Sequence, residues 1–213
     1  MPIEFRVILF CSLLFFAFVG SALATECEGV LLVALSPNGE TIITRNGRTQ
    51  SWGRTYRDSS EINSISPGFI PWIPPGKTRV LDIGAGEAGL IGELRGRGID
   101  AIGVDILLTD KQKSGPLGPY LVEADAWNLP FFDESFEFVF TFFSFNLELR
   151  DTDTQPISEM FRVLRPGGHA RLGPARPFEE WVISQWAKSR PNADVKIYRT
   201  GLGFIEITKA RVQ

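Results

Sequence analysis

Between residues 79 and 209 short apolar runs recur, separated by polar stretches that carry glycine and proline. Arg79 to Ile83, Ala101 to Val104, Tyr120 to Glu123 and Glu137 to Phe143 are apolar almost throughout, as strands buried on both faces are. Gly89 to Gly96 reads as a helix. Ile157, Met160, Phe161 and Leu164 share one helical stripe over Ile157 to Leu164, and residues 178–189 carry Trp181, Ile183 and Trp186 in a further helix. Strands alternating with helices predict a parallel, doubly wound α/β sheet covered on both faces. The last two runs, Val195 to Arg199 and Phe204 to Thr208, flank a glycine turn at Gly201 and Gly203, and neighbours that close can only pair antiparallel. Arg165-Pro166-Gly167-Gly168 is expected to end its helix and turn the chain into a strand over His169 to Leu172. Residues 109–119, polar and rich in glycine and proline, are expected to form a loop.

The N-terminal third follows other patterns. From Val7 to Ala24 no residue is charged, and the run is too apolar for a surface helix. At about 1.5 Å per residue it spans roughly 27 Å, slightly short of a hydrocarbon core. Two readings stand: a secretory signal cleaved after Ala22-Leu23-Ala24, or an uncleaved N-terminal hydrophobic helix that anchors the chain in a membrane. Arg6 before the run, with Glu26 and Glu28 after it, points the rest of the chain away from the cytoplasm, either lumenal on its anchor or secreted. Residues 29–52 alternate apolar runs with turn signals, Asn46-Gly47 among them, and predict a small β-hairpin. Residues 53–77 read as an extended connector. The expected organisation is a hydrophobic segment over 1–24, an extension over 25–76 and a main domain over 77–213. With 213 residues, 44% of them apolar, one sizeable core can form. The 22 basic and 25 acidic residues are well mixed, so no nucleic-acid footprint is expected. Cys11 and Cys27 alone make neither a disulfide framework nor a zinc site, and no metal site is expected.

Candidate chemistry concentrates at residues 79–89, Arg-Val-Leu-Asp-Ile-Gly-Ala-Gly-Glu-Ala-Gly. A buried strand that runs into glycines reads as a sharp turn into a helix. Gly84 and Gly86, lacking Cβ atoms, let a ligand approach the backbone beside that helix's N-terminus. A nucleotide-bearing cofactor is the first hypothesis. Gly84-Ala85-Gly86-Glu87-Ala88-Gly89 also fits the spacing of dinucleotide-binding folds. Asp82 separates the two possibilities. Its carboxylate opposes an anionic pyrophosphate and favours a sulfonium that bears an ammonium group.

On these residues the chain resembles the class I S-adenosylmethionine-dependent methyltransferases of the type 11 kind, whose first motif has the form acid-x-Gly-x-Gly. Ala88 stands where many members carry a third glycine, and slight crowding is expected there. The resemblance extends over about residues 77–209. It takes in Leu129-Pro130-Phe131, Glu137 in place of a common Asp, and the helix/Pro-Gly-Gly/strand passage. It implies a mostly parallel, seven-stranded Rossmann-like sheet closed by a C-terminal antiparallel hairpin, with S-adenosyl-L-methionine as cofactor. The implied cofactor-binding residues are Asp82, Gly84 and Gly86 at the turn, Asp105 for the ribose hydroxyls, Ile106 against the adenine, and Asp125 with the backbone of Ala126 for the adenine edge. A helix N-cap is the alternative role for Asp105, and Trp127 can either stack on a base or pack in the core.

Methyl transfer is an in-line displacement achieved mostly by positioning, and a base matters only where the acceptor must lose a proton. Glu148 and Asp151 lie in the right stretch, but their spacing selects neither, so the catalytic residue is unassigned. Ser144, Phe145, Asn146 and Glu148 are candidates to line the acceptor side. Trp72, Phe142, Phe143 and Phe145 favour a small apolar or membrane-borne, lipid-like acceptor. His169, the only histidine, sits at the start of a strand and is read as structural. Two alternatives remain: an NAD(P)-dependent oxidoreductase, from the glycine spacing, and a non-catalytic, membrane-tethered binding module, from Ala88 and the missing base.

Overall fold

The computed structural model describes residues 5–6, 31–35, 41–45, 48–52, 60, 73–74, 76, 78–142, 144 and 154–211. Contacts divide the chain into two units, Met1–Thr55 and Tyr56–Gln213. The first is an antiparallel sheet of β1 (Phe5–Arg6), β2 (Leu31–Leu35), β3 (Thr41–Arg45) and β4 (Arg48–Trp52), in that spatial order. The expected hairpin is thus one part of a larger meander. Arg45 pairs with Arg48, which leaves only the Asn-Gly pair between β3 and β4. Phe5 and Arg6 pair with Ala34 and Val33, while the apolar run 7–24 lies outside the described residues. Among the described residues no helix is long and apolar enough to cross a membrane.

In the second unit seven strands form one sheet: β5 (Arg79–Ile83), β6 (Asp100–Asp105), β7 (Leu121–Glu123), β8 (Phe136–Phe142), β9 (Leu164–Gly173), β10 (Ala193–Tyr198) and β11 (Phe204–Lys209). Their spatial order is β10-β11-β9-β8-β5-β6-β7. Pairing is parallel from β7 to β9, and β11 runs antiparallel to both β9 and β10. The predicted mostly parallel sheet with a terminal antiparallel pair is what forms. Its continuous apolar runs follow from burial on both faces. Val80, Phe138, Phe140 and Phe142 enter one core with Leu90, Ile91 and Leu94 of α1 (Gly89–Gly96). Leu81, Ile83 and Val139 enter the other, with Ile157 and Met160 of α3 (Gln155–Val163) and Ile183 and Trp186 of α4 (Pro177–Lys188).

Two expectations are corrected. Residues 109–119 hold a helix, α2 (Asp110–Ser114), and a 3-10 turn, Gly118–Tyr120. Thr109 and Gln112 cap the helix reciprocally, which turns a polar stretch into ordered structure. The Pro-Gly-Gly passage does not precede its strand but lies within it. β9 already pairs at Leu164 with Phe136 and resumes at His169 with Phe138, so residues 165–168 form a wide bulge. Glu137 holds the bulge: Oε2 accepts from Arg79 N at 2.7 Å and Oε1 pairs with the Arg165 guanidinium. A Cβ on Gly168 would meet the Glu137 carbonyl oxygen at 2.8 Å.

Candidate functional site

β5 sits where the chain's winding reverses, with β6 on one side and β8 on the other, and such a switch point opens a crevice at the carboxyl ends of the strands. Here β5 breaks sharply. Gly84 N and Ala85 N both donate to Val104 O, at 2.7 and 2.9 Å. Gly84 and Gly86 take φ of 76° and 54°, a region costly for side chains. Asp105 at the end of β6 ties the turn down: Oδ2 accepts from Gly86 N at 2.9 Å and Oδ1 from Leu107 N at 3.2 Å. Gln112 of α2 secures the other side, its Nε2 donating to Gly86 O at 2.5 Å. Nothing in the spacing of Gln112 pointed to the glycine turn, although the Thr109-x-x-Gln112 capping pattern was present to be read.

The same edge carries the other predicted acids. Asp82 is 2% exposed and aligns with Gly103 of β6. Asp105 aligns with Glu123, and its carbonyl accepts from Ala124 N at 2.9 Å, drawing the end of β7 to the end of β6. Asp125 is buried, with Oδ1 accepting from Trp127 N at 3.1 Å. Ile106 is half-buried next to Asp105, and half-buried Ala126 packs against the core. The carboxyl edge of three adjacent strands therefore brings Asp82, Asp105 and Asp125 together with the glycine turn.

Some site residues behave otherwise than expected. Ala88, its methyl buried in the core, caps α1 at φ 62° and ψ 23°, in the left-handed region, with its N–H donating to Ala85 O at 2.8 Å. The difference from glycine is backbone strain, about 1–2 kcal/mol for an L-residue. The space next to Gly84 is filled by Ser144, whose Oγ lies 2.7 Å from Ile83 O and 2.9 Å from Phe142 O and shares its one hydrogen between them. A Cβ on Gly84 would overlap that Ser144 side chain. Phe142, expected near the acceptor, is fully buried and stacks on Phe140 with ring centroids 6.0 Å apart. It belongs to the core because alternate positions along β8 share one face, and Phe142 follows Phe138 and Phe140 onto the face that α1 covers. Trp72, Phe143, Phe145, Asn146, Glu148 and Asp151 lie outside the described residues.

Beyond β5 lie acids that sequence reasoning did not single out. Glu159 Oε2 accepts from Leu129 N at 2.8 Å and pairs with Arg162 Nη2 at 2.7 Å. Arg162 also donates to Phe131 O, Leu129 O and Asp133 Oδ1. Burial alone would raise the Glu159 pKa, but Arg162 and the Leu129 amide together hold it below the usual carboxylate value. This network pins the segment that follows Asp125. On β9 and β11, buried Arg171 Nε pairs with Glu206 Oε2 at 2.8 Å, and His169 Nδ1 lies 3.2 Å from Thr208 Oγ1. His169 stacks on Phe138 at 5.7 Å, a structural position. In the first turn of α4, Glu179 is 8% exposed: Oε1 accepts from Arg176 Nε and Nη2 at 3.1 and 2.7 Å, whereas Oε2 is buried with no hydrogen-bond partner.

Residues 81–172 match the family described as "Methyltransferase domain". A biotin biosynthesis bifunctional protein from Cellvibrio japonicus is 30% identical over 146 residues, covering 64% of this chain and 29% of that protein. A demethylmenaquinone methyltransferase from Beutenbergia cavernae is 35% identical over 114 residues, covering 49% of this chain and 45% of that protein. The match thus spans less than half the length of either relative. The solved structure of a SAM-dependent methyltransferase from Aquifex aeolicus shares the fold at a TM-score of 0.50 and 18% identity, covering 70% of this chain and 92% of that one. With the strand order, the glycine turn and this family match in agreement, the domain that contains residues 81–172 belongs to the class I S-adenosylmethionine-dependent methyltransferases.

Proposed function

We propose that this chain binds S-adenosyl-L-methionine and directs its methyl group to a small or membrane-associated acceptor at the carboxyl edge of the main sheet. The observation that carries the proposal is the row of Asp82, Asp105 and Asp125 at the ends of adjacent strands, with Asp105 bonded to the glycine turn at Gly86 and to Ala124 beside Asp125. Such a row suits a ligand with a positive sulfur, an ammonium group, a ribose diol and an amine-bearing base, and suits a pyrophosphate poorly. Asp82 faces the cationic end, Asp105 accepts from the ribose hydroxyls, Ile106 rests on the adenine, and Asp125 with the Ala126 backbone reads its edge. Gly84 and Gly86 shape the turn that brings the backbone to the ligand. Gly86 N and Leu107 N fix the Asp105 carboxylate before any ligand arrives, which reduces the ordering cost of binding. When bound, the cofactor supplies an electrophilic methyl group on a cationic sulfur.

A lipid-like acceptor is supported by the name of the Beutenbergia relative, which gives demethylmenaquinone as its acceptor. The uncharged run 7–24 supports a secretory route with the domain facing away from the cytoplasm, tethered or released, and in either case Phe5 and Arg6 part from Ala34 and Val33 of β2. N-terminal sequencing of the protein from its native cell checks the tether, since a mature chain that begins at Thr25 excludes it. Isothermal titration tests the activity class. S-adenosylmethionine or S-adenosylhomocysteine is expected to bind, and binding of NAD(P)H without either overturns the proposal.

A further inference from the structure

We infer that Glu179 is the group that contacts the methyl acceptor, and that the acceptor therefore presents an O–H or N–H to it. This rests on the cofactor reading above. The proposed cofactor residues occupy β5, β6 and β7, so the ends of β8 and β9 are left for the second substrate. β9 ends at Gly173 and α4 begins at Pro177, so the first turn of α4 lies on the same carboxyl edge as the glycine turn. At ordinary strand spacing β9 lies about 10 Å from β5 across the sheet. Along α4 the buried positions are Glu179, Val182, Ile183 and Trp186. The first of these turns a carboxylate inward where the helical stripe asks for an apolar side chain.

That carboxylate is satisfied on one side only. Arg176 holds Oε1 through Nε and Nη2, which sets the plane of the carboxyl group, and Oε2 is left buried without a donor. A buried acceptor atom in that state is destabilising unless a donor arrives, and a charged one more so. An acceptor hydroxyl or amine supplies the missing donor. On transfer its proton passes to Glu179 Oε2, its lone pair takes the methyl, and the carbon–sulfur electron pair returns to sulfur as a neutral thioether. Carbon and thioether acceptors offer Oε2 no such hydrogen.

Sinefungin, in which an amine-bearing carbon replaces the sulfonium and its methyl, places a cation on the acceptor side and serves as the probe. Titration of the full chain with sinefungin and with S-adenosylhomocysteine gives a ratio of affinities. Glu179→Gln is expected to lower the sinefungin preference five- to tenfold while S-adenosylhomocysteine binding and melting temperature hold. Should Gln disturb folding, Glu179→Asp withdraws the carboxylate by one methylene and is expected to lower the ratio in the same direction. An unchanged ratio in a folded variant, or equal weakening of both ligands, overturns the assignment. Failure of wild type to bind S-adenosylhomocysteine instead overturns the cofactor reading beneath it.

Discussion

The two halves of the seven-stranded sheet hold their buried and half-buried carboxylates by different means. From β5 to β7, Asp105 and Asp125 accept hydrogen bonds from the backbone amides of Gly86, Leu107 and Trp127. Amide dipoles hold a carboxylate in place without cancelling its charge. From β8 to β11, each of Glu137, Glu159, Glu179 and Glu206 meets an arginine: Arg165, Arg162, Arg176 and Arg171 in turn. Those pairs are close to neutral and serve to fasten segments of chain. The contrast separates acids that keep their charge available from acids that brace the scaffold. Glu179 stands between the classes, with one oxygen braced and the other not.

The comparison breaks most readily on the braced side. Arg171→Met leaves Glu206 buried with its main cation gone and is expected to destabilise the fold by about 3–5 kcal/mol in urea titration, with most of the loss recovered in Arg171→Met/Glu206→Gln. Stability unchanged in the single variant would show that this pair braces nothing. The same pair sets a pH dependence. Burial raises the Glu206 pKa, but His169 and Arg171 outweigh it and hold the folded value below the ordinary 4.5. The unfolded chain therefore takes up its proton first as pH falls. The stabilisation is complete above about pH 4.5 and disappears as pH drops through the lower folded value. Glu206→Gln should flatten that part of the acid-unfolding curve.

On the ligand side, Asp105→Ala is expected to weaken S-adenosylhomocysteine binding by roughly 1.5–3 kcal/mol, the range for loss of a charged hydrogen-bond acceptor. Equal affinity in a folded variant would move Asp105 from ligand binding to bracing the glycine turn alone. Packing beneath the turn comes next. A Cβ on Gly103 would lie 2.8 Å from Ala85 Cβ and 2.9 Å from Leu121 Cδ2, so Gly103→Ala should cost about 1–3 kcal/mol by overpacking, read by chemical denaturation. The smallest effect has the opposite sign. Ala88→Gly relieves the left-handed backbone and is expected to stabilise by about 0.5–1 kcal/mol, net of glycine's entropy, as a higher melting temperature. A lower one would show that α1 accepts Ala88 without strain.

Most of the β5–β7 half was legible in the sequence because its signals are local. An apolar run, two glycines and an acid in the next strand end lie within a few residues of where they act. The terminal antiparallel pair was legible for the same reason, since a glycine turn leaves its strands no other course. The braced half depends on partners far apart in sequence. The Pro-Gly-Gly passage becomes a bulge because Glu137 reaches Arg79 and Arg165 across two strands. Glu159 and Glu179 occupy inward helix positions whose polarity makes sense only once Arg162 and Arg176 are seen beside them. Phe142 was misassigned because an aromatic residue at a strand end looks the same in sequence whether it lines a cleft or fills a core.

Ser144 occupies the volume that any side chain at position 84 would claim, and its hydroxyl bridges the exits of β5 and β8 through the Ile83 and Phe142 carbonyls. That shared spot is a mechanical joint. A methyl group added at residue 84 would push first on the exit of β8, so, with the acceptor placed there as proposed above, damage to the turn would surface as lost alignment between the two reactants before it surfaced as lost affinity for either.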